Sequence, residues 1–227
     1  MDVRKKSVMS AYHIEIQKLV NAALDEMVQE HAKGRLTNAP VSNTNFLLRW
    51  ITKSIKGQRF HRLASGDLIK WQKSGRSKGT QLDLPTLFRQ ISTLYSEFAP
   101  VDQEPKAILD SEIEAFIDFM EEKGWAVCTE YDAREKIQVF TEGDSSFLLC
   151  SHQCHDCFEG ENLVKPMSWY VRGNHAEFVK LATEQGFLVH KVTDYKSKVK
   201  YHGEYLIFPN NHGPQLAEIP IGYAMDS

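Results

Sequence analysis

Apolar residues recur at helical spacing as far as Phe98, and the spacing turns to that of strands beyond Pro105. No single repeating architecture accommodates both, so the change of period divides the chain. In the first region Ile16, Leu19, Val20, Ala23, Leu24, Met27 and Val28 form one stripe, which predicts an amphipathic helix over 11–32 ending near Gly34. Ser42 or Asn43 is the expected cap of a second helix. Spacings of four and three set Arg49, Lys53 and Lys56 on one face of it, opposite Phe46, Leu47, Trp50, Ile51 and Ile55. Ser65 is the expected cap of a short helix carrying Leu68, Ile69 and Trp71, and 75–79 reads as a mobile loop. A further helix covers 84–98, with Pro85 in its first turn, where proline is tolerated. Residues 1–99 are therefore expected to form a helical region.

The segment 99–105, with a proline near each end, is the expected linker, and 106–227 the second domain. There Ser111 and Glu114 have the spacing of a capping box, opening a helix that stops at Gly124. Three strands are expected at 125–131, 136–141 and 146–150. A second copy follows: Asn174 caps a helix, Gly186 ends it and a strand starts at Phe187. A shift of 62 residues places Phe116 on Phe178, Gly124 on Gly186, Trp125 on Phe187 and Val127 on Val189. The expected class is α+β, with an internal repeat of 106–150 and 166–210 built as two tandem β-α-β-β-β modules. The first module's opening strand can only be 107–109. Against a true duplication, helix, glycine, aromatic and strand follow one another wherever a helix turns back onto a sheet.

Charge follows the same division. Residues 1–99 carry 16 Lys and Arg against 8 Asp and Glu, whereas 100–227 carry 11 against 22. A split of that size points to two units with different surfaces or partners. No apolar run reaches the eighteen residues a membrane-spanning helix needs. The start, Met-Asp-Val-Arg-Lys-Lys-Ser, is charged with no apolar segment behind it, unlike a secretory signal. Four cysteines without an export signal are expected to be reduced thiols in the cytoplasm.

Three of those cysteines lie close together, at Cys150, Cys154 and Cys157. Folded back on itself, such a loop converges on one ion, and thiolates suit zinc or an iron–sulfur cluster. With His175 as fourth ligand the set is Cys3His, the composition of a structural zinc site; His152, His155 and Cys128 are substitutes. The bland alternative is a loop of unliganded thiols. The same cysteine spacing is that of radical S-adenosylmethionine enzymes. Asp156 stands where those carry an aromatic, though, and about seventy residues after Cys157 are too few for their barrel. Use of Cys157 as a nucleophile would need partners arriving from distant segments.

Between 49 and 78 the basic residues are Arg49, Lys53, Lys56, Arg59, Arg62, Lys70, Lys73, Arg76 and Lys78, with Asp67 the one acidic residue among them. Interleaved with Trp50, Phe60, His61 and Trp71, they suit a surface that follows a phosphate backbone or an acidic protein. The competing reading is the solvated face of amphipathic helices. Lys196, Lys198 and Lys200 are expected on one face of an exposed strand, with Val199 and Tyr201 on the other.

Asn38-Ala-Pro-Val-Ser-Asn-Thr-Asn45 leading to Arg49-Trp50, Lys165-Pro-Met-Ser-Trp169, Val171-Arg-Gly-Asn-His175 and His190-Lys-Val-Thr-Asp-Tyr195 carry a resemblance over nearly the whole chain. It is to an uncharacterised gammaproteobacterial family of cytosolic proteins known only as a domain of unknown function. That resemblance implies a bacterial intracellular protein and transfers no catalytic residue. The repeat separately resembles vicinal-oxygen-chelate metalloenzymes and ferredoxin-like regulatory domains, without the evenly placed strand His and Glu ligands of the former. The expected function is a binding or regulatory protein whose basic helical region engages nucleic acid or an acidic partner, with a structural zinc. Two alternatives stand beside it. One is a metal-dependent enzyme between the modules, with Asp156, Glu159 or Glu161 as general base. The other is a protein–protein adaptor.

Overall fold

The computed structural model describes residues 11–224; the charged start on which the secretory-signal expectation rests lies outside them. The chain is α+β, as its periodicity predicts, and divides into two compact units, Met1–Ser92 and Thr93–Ser227.

The first unit is helical: α1 (Tyr12–Ala32), α2 (Pro40–Lys56), α3 (Arg62–Lys78), a 3-10 turn (Gly79–Gln81) and the start of α4 (Leu84–Phe98). The division falls inside α4, ahead of the 99–105 segment. Ile16, Leu19, Val20, Ala23 and Met27 of the α1 stripe are buried, while Val28 at its edge is exposed. Neither Ser42 nor Asn43 caps α2: Ala39 is the cap position, and Pro40 takes the first helical place, where its missing N–H costs nothing. Likewise α3 begins before Ser65, with the His61 ring accepting from the Leu63 N–H. It also runs on through 75–78, which was expected as a loop. Gly75 is buried facing Leu48, whose side chain would collide with any Cβ there, so the glycine serves close helix packing rather than mobility.

The second unit contains α5 (Asp110–Glu122), β1 (Ala126–Cys128), β2 (Ser146–Leu149), α6 (Ser151–Asp156), β3 (Phe158–Glu159), β4 (Asn162–Leu163), β5 (Met167–Arg172), α7 (His175–Glu184), β6 (His190–Thr193) and β7 (Gly203–Ile207). One five-stranded sheet runs β1-β2-β5-β7-β6, with β3 and β4 a separate hairpin. Alternation along the strands sends Phe147, Leu149, Met167, Trp169 and Val171 to one face, where they pack with Phe116 of α5, Phe178 of α7 and Phe187. Leu148 and Tyr170 point to the other face and are covered by Ala133, Ile137, Val139 and Val199.

Both helix–glycine–aromatic segments are present in the fold. Gly124 (φ +81°) and Gly186 (φ +93°) follow the two helices, and Phe116, Phe178, Trp125 and Phe187 share one core. The strands that follow do not repeat. β1 pairs with β2 in parallel, whereas β6 pairs with β7 antiparallel. The polar connection 129–145 is long enough for the crossover a parallel pair requires, and the first half uses it so. The expected opening strand 107–109 is reduced to one bridge, Leu109 to Asn162, and the expected strand 136–141 to one bridge, Ile137 to Val199. The capping box also shifts: α5 opens at Asp110, and the Glu112 carboxylate rather than Glu114 accepts from the Leu109 N–H at 3.0 Å. Asn174 caps α7 as expected, accepting from the Glu177 N–H at 3.1 Å.

Candidate functional site

A groove of about 830 Å³ runs along the outer face of α2. It is lined by Ser42, Asn45, Leu48, Arg49, Thr52, Lys53 and Lys56 from the helix, and by Arg35, Leu36 and Thr37 from the segment before it. The face arises from helical spacing, which turns 49, 53 and 56 to within about 60° of one another. Four cations thus meet in one groove, and no carboxylate lines it. Among the described residues Arg49, Lys53 and Lys56 make no ion pair, and Arg35 reaches only Glu30, at 3.9 Å.

Other members of the basic run are committed elsewhere. Arg59 pairs with Glu26, and its guanidinium lies 5.3 Å from the centre of the Trp50 ring and 5.2 Å from that of Phe60. Glu26 also accepts from the Trp50 indole at 2.9 Å, so Arg59 locks the turn between α2 and α3. Lys70 reaches Asp67 at 3.7 Å. Arg62, Lys73, Arg76 and Lys78 are exposed but line no part of the groove. Asp67 itself is buried, accepting from the Tyr12 hydroxyl at 2.7 Å. Its charge is therefore turned away from the surface that a count along the sequence assigns it to. Arg35, absent from the run, is the groove residue that sequence spacing misses; it comes from the segment before α2, where helix periodicity gives no signal.

The cysteines lie in and at the two ends of a short helix rather than on an open loop. Cys150 precedes α6 and continues the alternation of β2, so it joins Leu148 on the second face of the sheet, where its sulfur accepts from the Ala133 N–H at 3.2 Å. Cys154 and Cys157 pack against the first core, across the sheet from it. Burial pushes the Cys154 thiol up to about 11 and raises Cys157 and Cys128 as well, away from the thiolate form. His175 stands at the start of α7, its Nδ1 2.9 Å from the Tyr205 hydroxyl. The four residues do not come together in this structure. Among the described residues no group of three or more His, Cys, Asp and Glu side chains is placed around one ion. Asp156, Glu159 and Glu161 are exposed on α6 and the β3–β4 hairpin. Lys196, Lys198 and Lys200 lie on a loop, not a strand: only Val199 makes a bridge, and Tyr201, expected to be covered, is exposed with φ +66°. No helix among the described residues is long and apolar enough to cross a membrane.

Residues 11–220 match the family described as "Protein of unknown function (DUF2913)". The chain belongs to that family. No curated protein and no solved structure matches it. Membership in DUF2913 agrees with the resemblance carried by the Asn38, Lys165, Val171 and His190 segments, and it assigns no role to any residue.

One further constellation of this DUF2913 chain escaped sequence reasoning. Ser146 Oγ lies 3.0 Å from His202 Nε2, and His202 Nδ1 lies 3.0 Å from the Lys200 carbonyl. The carbonyl only accepts, so Nδ1 carries the proton and Nε2 accepts from the serine hydroxyl. That is the arrangement of a nucleophile and its base. Both side chains are fully buried, however, and Arg172 Nε donates to the same oxygen at 3.3 Å. With no access for a substrate, the pair ties the 199–202 loop to β2 and β5.

Proposed function

We propose that the helical unit binds nucleic acid through its phosphates, held by Arg35, Arg49, Lys53 and Lys56. The observation that carries this reading is the groove itself: four cations, no lining carboxylate, and three of the four without an ion pair among the described residues. Unpaired cations on one face cost little in a charged, solvated setting and are ready to displace counterions from a phosphate chain. An acidic protein could use the same charges. A groove following one helix suits a thin polymer of regularly spaced charge better than a broad protein surface.

Binding is measured as fluorescence anisotropy of a labelled oligonucleotide over a range of salt. With a contribution of about −0.7 per neutralised phosphate of a single strand, four contacts give a slope of log K against log salt near −3. Affinity is then expected to fall about 50-fold between 50 and 200 mM salt. The double variant Arg49→Gln, Lys53→Gln should halve that slope and lose at least tenfold in affinity at the lower salt. Salt-insensitive binding, or a double variant that binds like the parent, would sink the proposal.

A further inference from the structure

A second cleft, of about 780 Å³, lies on the other side of Arg49 and Lys53. Its walls are Phe46 and Trp50 of α2, Glu26, Gln29 and Glu30 from the last turns of α1 and Lys33 just after it, with Arg35, Leu36, Arg49 and Lys53 shared with the first groove. On the helical wheel Phe46 and Trp50 lie about 60° and 100° round from Arg49, in the direction of Lys53. Arg49 and Lys53 therefore form a ridge, with a polar, cationic groove on one side and a cleft containing aromatic rings on the other.

From this juxtaposition we infer that the ligand is single-stranded nucleic acid, its phosphates along Arg49, Lys53 and Lys56 and its bases turned across the ridge toward Phe46. The inference rests on the phosphate-binding reading above and adds which form of nucleic acid is bound. Successive phosphates and bases of one strand lie on opposite sides of its sugar chain, which is the arrangement the ridge divides. In an intact duplex the bases are stacked and paired inside, and reading their edges requires an element that projects into a groove. Here the charged surface is concave. A free strand can offer a base to an aromatic side chain, a contact that depends little on sequence because every base has a flat face. Gln29 is exposed and carries no side-chain hydrogen bond among the described residues, so its amide offers both donors and an acceptor to a base edge. Trp50 is 5% exposed and its indole nitrogen is already satisfied by Glu26, so it forms the floor of the cleft. Phe46, only partly buried, is the ring within reach.

The test uses the full chain and three probes of equal length: a labelled oligothymidylate, its duplex with oligoadenylate, and an abasic strand with the same number of phosphates. The oligothymidylate is expected to bind at least tenfold more tightly than either of the others. Phe46→Ala should remove most of the advantage over the abasic strand while leaving the salt slope unchanged. Gln29→Ala, on the surface and harmless to folding, should reduce the same advantage in part, which guards against misreading a misfolded Phe46 variant. Equal or tighter binding of the duplex, or of the abasic strand, overturns the single-strand inference, and a steep salt slope would still leave the phosphate reading standing. Loss of salt-dependent binding to all three probes overturns both.

Discussion

Phe116→Ala is expected to cost the second unit about 4 kcal/mol, the scale of emptying a large aromatic from a packed interior. Phe116 is fully buried on α5. Its ring stacks on Trp169 at 5.0 Å, meets Phe147 and Phe187 each at 5.4 Å, and lies 6.3 Å from Phe178. One side chain thus joins α5 to β2, β5, α7 and the segment entering β6. Its neighbours are themselves large and mutually packed, so they have little room to collapse into the space left behind. In urea the midpoint of unfolding of this unit should move down by about 2 M. Phe140→Ala is the matched comparison: that ring is 85% exposed, and its loss should change stability by no more than about 0.5 kcal/mol. Similar midpoints for the two variants would mean that the aromatic cluster does not hold the unit together.

Acid should weaken the same unit through His190. The imidazole is fully buried at the start of β6, edge-on to Phe208 and against Gly213. Among the described residues neither ring nitrogen makes a hydrogen bond of good geometry; burial pushes the group down to about 4, and the nearby backbone of Gln215 and Leu216 offsets only part of that. The unfolded chain takes up a proton at this residue near pH 6.5, and the folded chain resists until about pH 4. Between those values the unfolded state binds more protons, so stability falls as pH falls. The loss is fully absent above the upper value and reaches about 3 kcal/mol by pH 4. His175, His202 and His212, also lowered by burial, act in the same direction. His190→Leu isolates the one residue: the variant should lose about 3 kcal/mol less than the parent between pH 7 and pH 4. Parallel acid profiles would assign the acid sensitivity to other groups.

Helical periodicity made the α2 face legible, because a spacing of 3.6 residues fixes which side chains share a side whatever the tertiary context. It could not show Arg35 closing the groove, nor Asp67 turning inward, since both depend on contacts between elements. Alternation in 136–141 accompanies inward-facing Ile137 and Val139. Read as a strand it misleads, because hydrophobic pattern reports which side chains are covered and not whether the backbone pairs with a neighbour. The segment covers a sheet face instead of extending the sheet. The cysteines misled in a related way. Their spacing suits a ligand loop, but Cys150 belongs to the alternation of β2, Cys154 to α6 and Cys157 to the end of that helix, and a sheet lies between. Two similar helix–glycine–aromatic segments were likewise visible, while the pairing of the strands after them was decided by the length of the 129–145 connection.

The burial of these thiols makes the chain a reporter on its own opening. Alkylating reagents attack the thiolate, and Cys154 and Cys157 hold little of it while α6 stays docked. Modification by iodoacetamide at neutral pH, slow beside the reclosing of one short helix, should therefore track the fraction of time the 150–157 segment is detached, and speed up many-fold in denaturant. Mass spectra of a timed quench would then read the fraying of one short helix, residue by residue, without any added label.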